Sequence, residues 1–269
     1  MFAPSTQAPL ILPATTMRPS DLAEEGIDRR QAARLVDCGE LLRLRKGRYA
    51  RADIHPALSD AGRLGGRLDC VSLLAAIGVF VRRRHGLHLQ LTPGTTRLPA
   101  RPADAVVHWR ESCAAPAALA ADLVEALAQA VRCQEPRDAI ATLDSAWHHG
   151  LVDEAGIASV FARLPRRYHP LRALLDRRSE SGAESIMRLM LRSLGASVEL
   201  QVVVPGVGRV DVVVDGWLII ECDSQAHHDG WDAHKRYRRR DIHAAELGYT
   251  RSVRSPKTSS TGARPSWRA

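Results

Sequence analysis

The chain contains no uninterrupted apolar run near the ~18 residues that a membrane-crossing helix requires, so no membrane anchor is expected. Its opening, Met1-Phe-Ala-Pro-Ser-Thr-Gln-Ala-Pro, lacks a basic segment followed by a long apolar core. Secretion is therefore not expected, and the reading is a cytoplasmic protein. The five cysteines (Cys38, Cys70, Cys113, Cys133 and Cys222) are scattered, odd in number and without CxxC spacing. That pattern predicts reduced thiols and speaks against a disulfide framework or a zinc site. No internal repeat is present.

What is present is basic. Lys and Arg total 38 against 30 Asp and Glu, a net charge of +8, and arginine greatly outnumbers lysine. Such an excess suits a polyanionic partner, although arginine-rich composition also follows from GC-rich coding. At 269 residues the chain is long enough for one large domain or two modest ones.

The richest stretch is Arg209-Val-Asp211-Val-Val-Val-Asp215-Gly216-Trp-Leu-Ile-Ile-Glu221-Cys-Asp223-Ser-Gln-Ala-His227-His228. Two apolar runs flank an Asp-Gly turn, the pattern of a β-hairpin. Acidic residues interrupt both runs, and an unpaired buried charge is costly unless a metal or a hydrogen-bond network compensates it. A two-residue turn would pair Val214 with Trp217 and put Glu221 on the face away from Asp211. A three-residue turn over Asp215–Trp217 pairs Val214 with Leu218 and sets Asp211 opposite Glu221, with Asp223 on the same face. The other face then reads Val210, Val212, Val214, Leu218, Ile220 and Cys222. That segregation favours the second register, whose carboxylates suit a hard cation such as Mg²⁺.

Near the N-terminus, Ser20-Asp21-Leu-Ala-Glu-Glu25-Gly26 reads as a short helix, followed by a second over residues 29–38. Asp28 is its N-cap, Gly39 its stop, and Ile27, Ala32, Leu35 and Val36 its apolar face. Residues 41–50 then alternate apolar and basic around Lys46-Gly47, predicting a small basic hairpin. With Gly39, Leu41, Arg43, Gly47 and Tyr49 in place, the segment resembles the winged helix-turn-helix of abortive-infection type antitoxins. The resemblance places Arg29, Arg30, Gln31 and Arg34 nearest a major groove and Arg43, Arg45, Lys46 and Arg48 at phosphates.

The middle is less distinctive. Leu68–Val81 is predicted as a buried helix, residues 86–92 and 105–110 as strands, and 118–133, 136–150 and 154–164 as helices, with a Pro-rich break at 165–170. Without acidic or cysteine partners at metal spacing, His85, His88 and His108 read as ordinary strand histidines. Asp144, His148 and His149 read as part of a helical scaffold.

Glu180-Ser-Gly-Ala-Glu184-Ser185 opens a helix whose apolar positions are Ile186, Leu189, Met190 and Leu194, with Glu184 and Arg188 on the opposite face. With "S-x-x-E-S" around Glu184, Arg209-Val-Asp211, Ile220-Glu221-Cys222-Asp223-Ser224, His228, Arg239-Arg240-Asp241 and Leu247-Gly248-Tyr249, the last 90 or so residues resemble the very-short-patch-repair-like branch of the PD-(D/E)XK nucleases. The resemblance implies that Asp211 and Glu221 hold Mg²⁺, that Glu184 completes the site, and that Asp223 stands where the superfamily commonly has lysine. It also implies that His228 positions water or protonates the leaving oxygen, that Arg236, Arg239 and Arg240 neutralise phosphates, and that Asp241 pairs with an arginine. Where such nucleases continue into a hydrophobic strand, this chain has Thr-Arg-Ser-Val-Arg-Ser-Pro, so a disordered tail and a sheet short of one strand are expected.

The expected architecture is α+β: a winged helix-turn-helix (17–55), a mixed α/β then helical connecting domain (60–178), a PD-(D/E)XK-like nuclease core (179–250) and a tail (251–269). Two functions follow. One is a Mg²⁺-dependent DNA endonuclease guided by the winged helix. The other is a non-catalytic DNA-binding regulator or antitoxin, with a toxin protein as partner and a degenerate nuclease domain.

Overall fold

A computed structural model describes residues 14–222 and 231–253, and the chain divides into two compact units between Ala173 and Leu174. Among the described residues no helix is long and apolar enough to cross a membrane.

The first unit opens with helices α1 (Pro19–Glu24) and α2 (Arg29–Asp37), then an antiparallel hairpin of β1 (Leu41–Arg45) and β2 (Arg48–Arg51). Local chemistry explains α2. The Asp28 carboxylate accepts from the amides of Arg30 and Gln31 at 2.7 and 2.8 Å, and the Gln31 side chain accepts from the Asp28 amide at 2.7 Å. This reciprocal box satisfies the amides that a helix start leaves open. Ala32, Leu35 and Val36 then pack with Leu22, Ile27 and Leu41. The hairpin turns at Lys46-Gly47, where Gly47 takes a φ of 67° that a larger residue resists.

Next come α3 (Pro56–Arg63), β3 (Arg67–Leu68), α4 (Cys70–Ala76), β4 (His88–Leu91) and β5 (Val106–Trp109). Their sheet has the order β3-β4-β5, with β3 antiparallel and β5 parallel to the central β4. The helix expected over Leu68–Val81 is shorter, because residues 67–68 are drawn into the sheet opposite Gln90 and Leu89. Likewise the helix expected from Ala118 begins only at Leu123. Ala118 and Ala120 bridge to Thr15 and Leu68, and Asp122 supplies the cap by accepting from the Glu125 amide. Helices α5 (Leu123–Cys133), α6 (Pro136–His148) and α7 (Glu154–Ala162) follow, and a 3₁₀ helix over Arg166–Leu174 takes the place of the expected break.

Ion pairs lock this unit. Arg110 donates two hydrogen bonds to the fully buried Asp69 carboxylate at 2.8 and 2.9 Å and a third to Glu125 at 2.6 Å. Burial pushes the Glu125 carboxyl up, but hydrogen bonds from Ser112, the Cys113 amide and Arg110 outweigh it and hold Glu125 at about 2. A carboxylate whose folded value lies below its unfolded value of 4.5 contributes stability above that value and loses it as pH falls. Glu125→Gln is therefore expected to destabilise the first unit at pH 7. The deficit should shrink as pH falls from 4.5 towards 2, which urea unfolding at several pH values will show; a deficit constant across that window contradicts the assignment.

The second unit consists of α8 (Gly182–Ser193), β6 (Val198–Val204), β7 (Gly208–Val214), β8 (Leu218–Glu221), α9 (Trp231–Glu246) and β9 (Thr250–Val253). The sheet order is β6-β7-β8-β9; β6, β7 and β8 are antiparallel, and β9 runs parallel to β8. This corrects the expected disordered tail at its start. Thr250–Val253 pairs with Leu218–Glu221 and completes a four-stranded sheet. Its polar residues are tolerated because Arg251, 4% exposed at its side chain, finds Glu221 and Asp241 as partners. Residues 254–269 lie outside the described residues.

Each face of this sheet carries a helix. Met187 and Leu191 of α8 cover Val198, Leu200, Val212, Val214 and Ile220, whereas Ala244 of α9 joins Val204, Val207, Val210, Val213 and Ile219. Two expectations change here. The buried positions of α8 are Gly182, Glu184, Ser185, Arg188 and Leu189, with Met187 and Leu191 half-buried against the sheet; of the expected apolar face Leu189 is buried, whereas Met190 and Leu194 are exposed. Val210 also leaves the face of Val212 and joins that of Val213. The β6–β7 ribbon thus switches faces around Gln201 and Asp211, where Gln201 has a φ of 55°.

Candidate functional site

The carboxylates singled out in the sequence meet in the second unit. Val214 faces Leu218, Val213 faces Ile219 and Val212 faces Ile220, which is the three-residue-turn register. Extending it by one step sets Asp211 against Glu221. The Asp215 carboxylate ties the turn down by accepting from the Ser197 amide at 2.8 Å. Asp211 Oδ2 accepts from the Cys222 amide at 2.7 Å, so the strand itself aims this carboxylate.

Glu184 arrives from the first turn of α8. Ser181 caps that helix, accepting from the Glu184 amide, and the Glu184 carboxylate accepts from the Glu180 amide at 3.0 Å and from Gln201 Nε2 at 2.9 Å. Glu184 and Glu221 are both buried. Burial raises both carboxyls above the ordinary range, and the Asp211 charge raises each further. The three acids therefore share one electrostatic site. Like charges held together out of water favour a bound cation.

The oxygen-only donor set fits Mg²⁺. So does Gln201. Its Oε1 is buried with no hydrogen-bond partner among the described residues, and it stands opposite Asp211 on a strained backbone. An orphaned acceptor beside three carboxylates is a place for a cation's coordination sphere. Sequence reasoning missed Gln201, since a glutamine inside a Val-rich strand carries no motif.

Other predicted residues are distributed unevenly. Arg240, expected at phosphates, donates to Glu221 at 3.0 Å and to the carbonyls of Val207 and Arg209. Its fixed position follows from those two carbonyls as much as from the acid. Arg239 is exposed, and Asp241 pairs with Arg251 as an arginine-bound carboxylate. Asp223, His228 and the side chain of Arg236 lie outside the described residues. In the first unit Arg29, Arg30, Gln31, Arg34, Arg43 and Lys46 are exposed, while Arg45 and Arg48 are half-buried.

A second cluster joins two of the cysteines read as scattered to two of the histidines read as ordinary strand residues. Cys70, His88, His108 and Cys133 each offer one ligand atom, and the four atoms lie within 4.8 Å of one another. They come from the start of α4, from β4, from β5 and from the last residue of α5. Parallel pairing sets His108 opposite Gln90, two residues from His88 and so on the same face. No linear spacing announces such a set, because its members are spread over 64 positions and joined only by the sheet and the α4–α5 packing. This group can hold a metal ion.

The chain matches no protein-family model and no curated protein sequence.

Proposed function

We propose that the chain is a Mg²⁺-dependent DNA endonuclease of PD-(D/E)XK type, brought to DNA by a winged helix-turn-helix in residues 17–55. The observation that carries this reading is the convergence of Asp211, Glu221 and Glu184 beside the unpartnered Gln201 oxygen. Asp211 and Glu221 would hold the ion, with Glu184 fixing its surroundings through Gln201. The ion, when bound, polarises a scissile phosphate and lowers the pKa of an attacking water. The protein's own part is to keep the acids aimed: the Cys222 amide on Asp211, the Ser181 cap on Glu184, and two arginines on Glu221. In the first unit the exposed arginines of α2 and the hairpin supply positive charge for phosphates.

The deciding experiment is cleavage of single- and double-stranded DNA with Mg²⁺ or Mn²⁺. Even outer partners of a metal site are worth 10–100-fold, so Asp211→Ala is expected to lower the rate by at least about 100-fold. Binding of Mg²⁺ in calorimetry with no cleavage of any DNA would count against the nuclease reading.

One observation favours a second reading. Glu221 Oε1 is already clasped by Arg240 and Arg251, so the protein can balance that charge without a metal. In that case the chain is a DNA-binding regulator or antitoxin that pairs with a toxin protein. Deleting residues 1–60 then abolishes DNA binding, and Asp211→Ala leaves it unchanged.

A further inference from the structure

We infer that the first unit holds a structural zinc ion, bound by Cys70, His88, His108 and Cys133. The site is independent of the carboxylate site of the second unit and of the nuclease reading.

Geometry is the first argument. His88 Nδ1 and His108 Nε2 are 3.2 Å apart, and His108 Nε2 is 3.9 Å from the Cys133 Sγ. With Zn–N near 2.05 Å and Zn–S near 2.3 Å, a tetrahedron has N···N edges of about 3.3 Å and N···S edges of about 3.6 Å. These two edges match within a few tenths of an ångström, and all four ligand atoms lie within 4.8 Å of one another, close enough for an ion to draw them in.

Donor chemistry is the second. Two thiols and two imidazoles make a soft S₂N₂ set, which selects zinc over the hard cations that carboxylates prefer. All four positions are filled by protein, so no site is left for substrate, and the role is structural rather than catalytic.

The third argument is the backbone. Cys70 takes a φ of 52°, a left-handed conformation that costs a non-glycine residue energy. The surrounding fold holds it there, because Asp69 immediately before it is clamped by Arg110 and Leu73 donates back to Asp69 as α4 begins. The effect is to present the Cys70 thiol, fully buried, to the two histidines. On the outer side, Gln129 Nε2 donates to Cys133 Sγ at 3.3 Å, the kind of supporting bond that orients metal ligands. Cys133 is solvent-exposed, which gives the ion an entry path.

Such an ion would tie α4, β4, β5 and α5 at one point beside a sheet whose three strands are two to four residues long. Both sulfurs are free thiols, and their deprotonation accompanies metal binding.

The test uses the full chain, purified without a polyhistidine tag. Elemental analysis is expected to find close to one zinc per chain. Cobalt(II) added after chelator treatment is expected to give the visible d–d bands of a tetrahedral site and a near-ultraviolet thiolate charge-transfer band. Cys133→Ser and His108→Ala are expected to cut zinc content at least about 10-fold, while Cys113→Ser, outside the cluster, keeps it. If the variants fail to fold, the wild-type chain still decides. Absence of zinc together with no cobalt spectrum overturns the proposal, and so does a Cys70–Cys133 disulfide found by mass spectrometry of the non-reduced chain.

Discussion

Arg110→Ala is expected to cost the first unit about 3–5 kcal/mol, the penalty for leaving a buried charge without its partner. Asp69 is fully buried, and Arg110 Nη2 donates to both of its carboxylate oxygens. Glu125 loses its arginine partner in the same step and keeps the Ser112 hydroxyl and the Cys113 amide. For a unit of this size the loss corresponds to a fall of roughly 10 °C or more in the first unit's Tm. Arg51→Ala is the control. Its pair with Asp53 is mostly exposed on both sides, where water screens the attraction, so little stability should be lost. Hydrogen exchange along Cys70–Ala76 and His88–Leu91 locates the effect. If Arg110→Ala and Arg51→Ala destabilise equally, the Asp69–Arg110–Glu125 network does not hold this unit together.

The second large effect belongs to Arg251. Its side chain is almost fully buried and joins β9 to Glu221 and to Asp241. Arg251→Ala leaves the buried Glu221 with Arg240 alone, and the expected cost is about 3 kcal/mol in the second unit. Asp241 suffers less because water reaches it. Protection from hydrogen exchange should fall first along Leu218–Glu221 and Thr250–Val253, which share a parallel ladder. Arg239→Ala, at an exposed position on α9, is expected to stay within about 0.5 kcal/mol of wild type. The same substitution bears on function. Removing one of the two cations on Glu221 leaves the carboxylate site more negative, so Mg²⁺ should bind more tightly to Arg251→Ala if these acids are ligands. Unchanged or weaker Mg²⁺ affinity in a chain that remains folded favours the regulator reading.

Much of the second unit was legible in the sequence. The Asp-Gly turn, the alternation of Val and acid, and the preference for an apolar face together fixed the register of β7 on β8, because a one-residue slip moves every side chain to the other face. The pairing of Asp241 with an arginine was legible too, although not which arginine. Hydrophobic pattern failed at Thr250–Val253. A strand with arginine and serine does not look buried, and only the positions of Glu221 and Asp241 make Arg251 acceptable there. It failed again along α8, where Glu184 and Arg188 occupy the buried stripe that apolar residues usually mark.

The sequence by itself determined the local elements: the Asp28 N-cap and the two short helices around it, the basic hairpin, and the hairpin that aligns Asp211 with Glu221. Those depend on neighbours within a few residues, and short-range hydrogen bonding and side-chain periodicity leave their mark in the text. Tertiary structure alone decided which distant residues meet. It brought Cys70 to Cys133 across two histidines, Arg110 to Asp69, Gln201 to Glu184 and Arg251 to Glu221. Each of those contacts depends on how sheets and helices stack, and a charge or a thiol carries no sign in sequence of the partner that packing will supply.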